Sequence, residues 1–514
     1  MGSRNMRSRW MWTTSTLGLG AIAAALAGVQ PALTADLAGN LGGACCTDLE
    51  QRIAELKATA ARKGNRKLSL QIYGQVSEVI MWWNDGAEKN AYVQNNYATR
   101  NTVGFQGAVP IDNDWSAGFR LDLQVRAFRS SFANQYALGE NNGLTTQTYD
   151  TQSVTLRYAN WYLDSKTYGR ISLGRDNDPA LGIIGINLAS PDGFAANGTN
   201  AGYANGGFFL RRKGTTGNGG LSGLNWQNFA WIRNGDGPAS LDYAQTANAA
   251  KYSSPFFLGR SAQSGFNVQA FWGQDDVWST ALRYAEDFGV VRVAAGVGYS
   301  NWTGLDRGSC SNTSPTGSTG TGPGATATTS STRCDAWQLG ASIMHAATGL
   351  YLSGGGGWLT DYNRQLNYDA ASSFPAGARN VFARPGVDAS DSVWWAQAGW
   401  EAKLNGLGAT TFWGQYSYYN TGTGTLNSAI QTVAATDVIN SLGRTAFIAG
   451  TQTRTWGLGV TQAIDAAAMN VHVGYLNFAT EGHLVDQNPA NNARVQTRPI
   501  DPMSVVYTGA TIRF

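Results

Sequence analysis

The chain has 514 residues, a formal net charge of +3, 14% charged and 11% aromatic residues, and a mean hydropathy of −0.25. Average soluble proteins carry about 25% charge and about 7% glycine, whereas 64 of these residues are glycine. Low charge with middling hydropathy excludes a helical membrane protein and fits strands with one apolar and one polar face, in a membrane barrel or in a secreted sandwich or solenoid.

Residues 1–35 read as a secretory signal peptide: Arg4, Arg7 and Arg9 precede the apolar run TLGLGAIAAALAGV, with small residues around Ala27 and Ala35. The run falls short of the roughly 20 apolar residues of a membrane helix. Cleavage after Ala27 or after Ala35 fits the pattern. The three arginines are the whole of the basic excess, since removing residues 1–35 takes Lys+Arg from 37 to 34 against 34 acids. The mature chain is therefore near neutral, and nothing marks a nucleic-acid partner.

Residues 36–66 hold a short amphipathic segment. In TDLEQRIAELKATAARK, Leu49, Ile53, Leu56 and Ala60 recur at heptad spacing, with Thr47 placed to cap the start and Gly64 beyond the end. It reads as a helix packed on the domain or as a short coiled coil joining identical subunits.

From Lys67 to Phe514 the period is two. In KLSLQIYGQVSEVIMWW, Leu68, Leu70, Ile72, Val76, Ile80 and Trp82 share one face, broken only by Glu78, while Ser69, Gln71, Tyr73, Gln75 and Ser77 share the other. In WSAGFRLDLQVR, Ala117, Phe119, Leu121, Leu123 and Val125 oppose Gly118, Arg120, Asp122, Gln124 and Arg126. About 16 such ladders follow one another, with short turns such as PIDND, DSKT, AEDFG and HAATG alternating with long Gly/Ser/Thr/Asn-rich connections. Short turns on one rim and long loops on the other are the pattern of an up-and-down outer-membrane barrel. Trp82, Trp83, Trp161, Trp272, Trp278, Trp337, Trp358, Trp394, Trp395, Trp400 and Trp456 cluster near strand ends, as an interfacial girdle requires. The last strand, VVYTGATIRF, ends on Phe514 with no polar tail, so it pairs with the first strand and closes the barrel.

Other chemistry is sparse. His345, His472 and His483 are scattered, with no ligand spacing for a metal. GVGYSN at 296–301 lies inside a ladder with no helix after it, and no GxSxG elbow is present, so neither an enzyme nor a cofactor is implied. GGGG at 354–357 reads as a bend or a close-packing site. Cys310 and Cys334 bracket a low-complexity loop, and in an oxidising compartment they form a disulfide. Cys45 and Cys46 pair with each other or with a neighbouring subunit. Arg211, Arg212 and Lys213 read as an exposed rim cluster.

The stretches LEQRIAELKATAARKGNRKLSLQIYGQVSEVIMWWNDG, NTVGFQGAVPIDNDWSAGFRLDLQV and LRYANWYLDSKTYGRISLGRDNDP resemble alphaproteobacterial general porins of the rhizobial and brucellar type. The resemblance implies a 16-stranded antiparallel barrel and a homotrimer embedded in outer-membrane lipid and lipopolysaccharide. It implies a water-filled path for small hydrophilic solutes and ions, with Phe514 as an assembly signal. It also implies that the third long loop, DNDPALGIIGINLASPDGFAANGTNAGYANGGFFLRRKG, folds into the barrel. Asp176, Asp178 and Asp192 would then face a basic wall of Arg120, Arg126, Arg157, Arg283 and Arg292 across a narrow passage. A substrate-specific channel of 18 strands with an aromatic slide for sugars, and a non-channel structural or adhesive barrel, are the alternatives.

Overall fold

The alternation that begins at Lys67 becomes a wall of strands. A computed structural model describes residues 69–125, 128–136, 154–189, 191–230, 233–234, 237–238, 246–273, 277–303, 333–361, 389–421, 432–486 and 494–514. The sixteen wall strands are β1 (Ser69–Asn84), β2 (Asn101–Pro110), β3 (Trp115–Val125), β4 (Val154–Ser165), β5 (Gly169–Asn177), β6 (Thr246–Ser253), β7 (Gly265–Gly273) and β8 (Trp278–Asp287). They continue as β9 (Val291–Thr303), β10 (Arg333–His345), β11 (Leu350–Asp361), β12 (Ala389–Ala402), β13 (Thr410–Thr421), β14 (Ala446–Ile464), β15 (Met469–Asp486) and β16 (Met503–Arg513).

Each strand pairs antiparallel with its sequence neighbours, and β16 pairs with β1 from Gln75↔Arg513 to Asn84↔Ser504. The sheet is thus a closed barrel without free edges, the form a β-structure must take in hydrocarbon. Sixteen strands set aside the 18-stranded alternative. Segment Lys89–Asn95 extends β2 along the upper half of β1.

The short turns and both chain ends of the wall share one rim. At residues 111–114 of that rim, Asp114 accepts hydrogen bonds from Ser165 Oγ (2.6 Å) and from the Thr167 N–H and Oγ1 (each 3.1 Å). These bonds hold its carboxyl below the usual carboxylate range, with the Ser165 bond the largest cause.

The outward rows carry the apolar side chains. Ile72, Ile80, Leu173, Val268, Leu282, Leu339, Ile343, Leu352, Leu458 and Val473 are all exposed on the bare chain. Two aromatic belts flank this band. On the loop side, Trp278 meets Tyr299 at 5.2 Å between centroids, Tyr299 meets Trp337 at 4.7 Å, and Trp394 meets Tyr416 at 5.4 Å. On the turn side, Phe266 meets Tyr284 at 4.8 Å and Trp400 stacks on Phe412 at 5.9 Å. Trp394 and Trp400 lie six residues apart on β12, about 20 Å along the strand and close to the ~25 Å apolar band of outer-membrane barrels.

Two tryptophans expected in the girdle lie elsewhere. Trp83 and Trp395 are 3% and 2% exposed and point into the barrel. Each follows an outward tryptophan directly, and strand alternation sends consecutive side chains to opposite faces.

At the seam the chain end is held from both sides. Gly74 N–H donates to the Phe514 carbonyl (2.9 Å), and Phe514 N–H donates to the Gly74 carbonyl (3.1 Å). The Phe514 ring lies over Gly74, where a Cβ would come within 2.6 Å of Phe514 Cζ. The same close approach recurs on the inner face, where Tyr73 covers Gly104, Tyr162 covers Gly118 and Tyr507 covers Gly474.

The signal segment, the 36–66 helix, Cys45, Cys46, Arg126 and Cys310 fall outside the described residues, and Cys334 contributes only its backbone to β10.

Candidate functional site

The connection after β5 does not stay at the rim. Its described part, residues 178–230, runs along the inner wall and is fastened strand by strand. Asp178 accepts from Ser279 Oγ on β8 (2.6 Å) and Ser300 Oγ on β9 (3.1 Å). Arg283 on β8 donates through Nη2 to the carbonyls of Pro179 (2.9 Å) and Leu181 (2.8 Å). Leu188 N–H donates to Ser342 Oγ on β10 (3.0 Å), and Ser353 on β11 donates to Asn187 Oδ1 (2.8 Å). On β12, Trp395 Nε1 donates to the Ile184 carbonyl and Gln397 Nε2 to the Ala195 carbonyl, both at 2.7 Å. Ser417 and Tyr419 on β13 both donate to the Gly198 carbonyl, at 2.9 and 3.0 Å. On β16, Tyr507 donates to Asp192 (3.0 Å), and on β14 Thr453 donates to Ala230 (3.1 Å).

The apolar ALGIIGINLA of this segment explains the route. Ile183 and Ile186 are 0% and 2% exposed, packed with Ala281 and Ala294. The wall opposite them is built of glycine. A Cβ at Gly296 would come 2.7 Å from Ile183 Cδ1 and 2.9 Å from Ile186 Cδ1. One at Gly340 would strike the Ile183 carbonyl, and one at Gly355 the Ile184 carbonyl. The GGGG run is therefore a close-packing site: Gly355 lets a second layer of backbone lie against the first.

The return of the segment is clamped near the loop rim. Arg211, expected on an exposed rim, is 1% exposed, with Nε 2.9 Å from Asp85 and Nη2 3.1 Å from Glu88. A fully buried guanidinium needs such partners. Phe208 packs on Trp83 at 5.1 Å between centroids, and Trp226 on Phe478 of β15 at 6.1 Å.

Among the described residues none of these hydrogen bonds comes from β2 to β7. The inner rows of β8–β16 are largely buried beneath the segment, while those of β2–β6 keep accessible polar and charged groups. Here Arg120 stacks on Tyr158 (3.9 Å from Cζ to the ring centroid) and pairs with Asp122 at 2.6 Å. Arg157 lies 5.1 Å from the centroid of the same Tyr158 ring, within electrostatic range of Arg100, Arg120 and Asp122. Arg170 stacks on Tyr162 at 4.1 Å and pairs with Asp164 at 3.0 Å. Outside these strands Arg100 and Arg129, 8% and 6% exposed, are buried against Tyr97 at 5.3 and 5.1 Å. Asp176 meets Lys251 of β6 at 3.6 Å and accepts from Ser172 at 2.7 Å.

The expected site residues therefore separate into groups. Arg120 and Arg157 come together on the accessible wall around Tyr158, and Asp176 lies on β5, paired with Lys251. Asp178 and Asp192 are 2% and 4% exposed and serve as anchors of the inward segment. Arg283, 7% exposed, is an anchor too. Arg292 sits by the short-turn rim, paired with Asp287 at 3.3 Å. Arg100, Arg129, Arg170 and Lys251 were not singled out in the sequence. Arg170 was the legible one, since its strand partner Asp164 and the outward Ile171 beside it place it on the polar row.

No family model matches the chain, and no curated protein matches it. Solved structures with a similar chain course include an anion-selective porin from Comamonas acidovorans, 14% identical, covering 87% of this chain and all of that one, with a TM-score of 0.49. OmpT, an outer membrane protein of Vibrio cholerae, is 11% identical and covers 87% of this chain and 98% of its own, with a TM-score of 0.44. A Salmonella typhi OmpF complex with daunomycin is 14% identical over 87% of this chain and 97% of that one, with a TM-score of 0.42. At these identities and scores the function rests on the geometry above.

Proposed function

We propose that this chain is an outer-membrane porin of a Gram-negative bacterium, admitting small hydrophilic solutes and ions by passive diffusion. The observation that carries the reading is the division of the wall. Apolar rows between two aromatic belts face outward, while hydroxyl, amide and charged rows face inward, an arrangement stable only with lipid outside and water within. The inward segment acts as the constriction. Fastened to β8–β16, it leaves a passage along β2–β6 with Arg120, Arg157, Arg170 and Lys251 on its wall. Among the described residues the passage is lined by fixed charges and amides and not by a paired nucleophile and base, which favours the channel reading. Likeness to the alphaproteobacterial general porins, with Phe514 as assembly signal, is part of the same proposal.

The test is conductance in planar bilayers by detergent-purified protein whose heat-dependent gel mobility shows a folded barrel. Ohmic steps are expected. Folded protein that never conducts would make the chain a plugged structural barrel.

A homotrimer is also proposed, on one local observation. Glu78 lies in the outward row of β1, between Val76 and Ile80 and four residues below Trp82, and accepts from Asn101 Nδ2 at 2.8 Å. A carboxylate facing hydrocarbon is costly, whereas a neighbouring copy could supply polar partners. Glu78→Leu is expected to lower the melting temperature of the trimer band by several degrees, as befits losing a charged hydrogen bond of about 1.5–3 kcal/mol. A variant with an unchanged trimer and a more heat-resistant barrel would place Glu78 against lipid.

A further inference from the structure

The accessible wall carries an organised set of cations. From the short-turn side upward, Arg170 lies on Tyr162 and Arg120 and Arg157 share Tyr158, while above them Arg100 and Arg129, 8% and 6% exposed, are buried beside Tyr97. A guanidinium held against an aromatic face keeps its fork of N–H donors fixed at its edge, so little rotamer entropy is lost when an anion accepts from it. Within this set the carboxylates are committed: Asp122 to Arg120 and Tyr73, and Asp164 to Arg170. Arg157 has no ion pair or hydrogen bond among the described residues, only its place over Tyr158.

Among the described residues the other side of the passage does not balance this charge. Asp178 and Asp192, the acids of the described inward segment, are turned into the wall and spent on Ser279, Ser300 and Tyr507. Of the described residues in 178–208 those that stay partly accessible are Leu181, Gly182, Leu188, Gly193 and Asn200, none of them charged, and the accessible charges of the segment's return are the cations Arg212 and Lys213. A passage with fixed cations on one side and neutral groups on the other concentrates anions, and low-dielectric walls strengthen the effect.

We infer that the arginine–tyrosine ladder is a binding track for small oxyanions of the phosphate and sulfate class, with Arg157 as its open donor and Arg120 and Arg170 as flanking charges. Planar, bidentate N–H pairs match the oxygens of a tetrahedral oxyanion better than they match chloride. The track makes permeation anion-preferring and makes the flux of these oxyanions saturable. The inference rests on the channel reading above, and the experiment separates the two.

Native protein is reconstituted in planar bilayers, and two quantities are read: the reversal potential in a potassium chloride gradient, and the block of chloride current by added inorganic phosphate. An anion-side reversal potential and a saturating block are expected. Arg157→Gln shifts the reversal potential toward cations and weakens the block at least about tenfold, the usual weight of a charged hydrogen bond. Arg157→Lys retains most of the anion preference but loses the block, because an ammonium has no fork. Asp122→Asn, which releases Arg120, tightens the block. Arg454→Gln, on the outer wall where Arg454 meets Glu481 at 3.3 Å, changes neither quantity. A conducting channel that prefers cations, or that phosphate does not block, overturns the track and leaves the porin reading standing. Folded protein without conductance overturns both.

Discussion

Replacing Ile183 and Ile186 together by aspartate is expected to free the inward segment and raise the single-channel conductance by about twofold or more while the barrel stays folded. The two side chains are 0% and 2% exposed, packed against β8–β10, and each contributes on the order of 1.5–3 kcal/mol by leaving water. Putting a carboxylate in either place adds the cost of an unpaired buried charge. The other fasteners of this stretch on β8–β10 are hydrogen bonds of about 1–3 kcal/mol each, and the clamp of Arg211, Phe208 and Trp226 holds the segment's return and not this stretch. The wall does not depend on it: each of the sixteen strands keeps its pairing on both sides. Conductance and open-channel noise measure the effect, with heat-dependent gel mobility as the folding control. Unchanged conductance in folded protein would mean that the segment does not set the width of the passage.

Gly74→Leu is expected to prevent closure of the barrel. A side chain there meets the Thr102 carbonyl and the Phe514 ring, with Thr102 O 2.5 Å and Phe514 Cζ 2.6 Å from the first added carbon. The carbonyl belongs to the backbone of the neighbouring β-ladder and cannot swing aside, so relief requires the β1–β16 register or the β1–β2 pairing to give way. Overpacking costs typically 1–3 kcal/mol, and here it falls on the pairing that joins the first and last strands of the wall. The measurement is the fraction of refolded protein that shows the compact, heat-shifted band in detergent; most of it should be lost. Adding Phe514→Ala removes one of the two clashes and should restore part of the band. If Gly74→Leu folds like the native protein, the seam is looser than its geometry implies.

The fold was legible because alternation is a local property. Ile72 and Ile80 against Tyr73 and Gln75, or Leu121 and Leu123 against Arg120 and Asp122, assign each side chain to lipid or lumen from sequence alone. A barrel follows from that assignment once no edge can be left in hydrocarbon. Phe514 was legible for the same reason, as a member of the apolar row that holds Ile512 and Ala510.

What alternation cannot say is whether an inward side chain meets water or another layer of protein. Asp178, Asp192 and Arg283 had the residue types of a charged passage and became anchors, while Arg157, of the same type, remained open. Trp395 and Arg211 read as surface residues and are buried. The difference lies in the path of one connection, whose contacts join residues as far apart as Asp192 and Tyr507, 315 positions along the chain. Sequence by itself determined the two faces of the wall, because the pleat forces that choice at every residue. Only the tertiary structure decided which part of the inner face is lumen, because that depends on many weak contacts summed across nine strands.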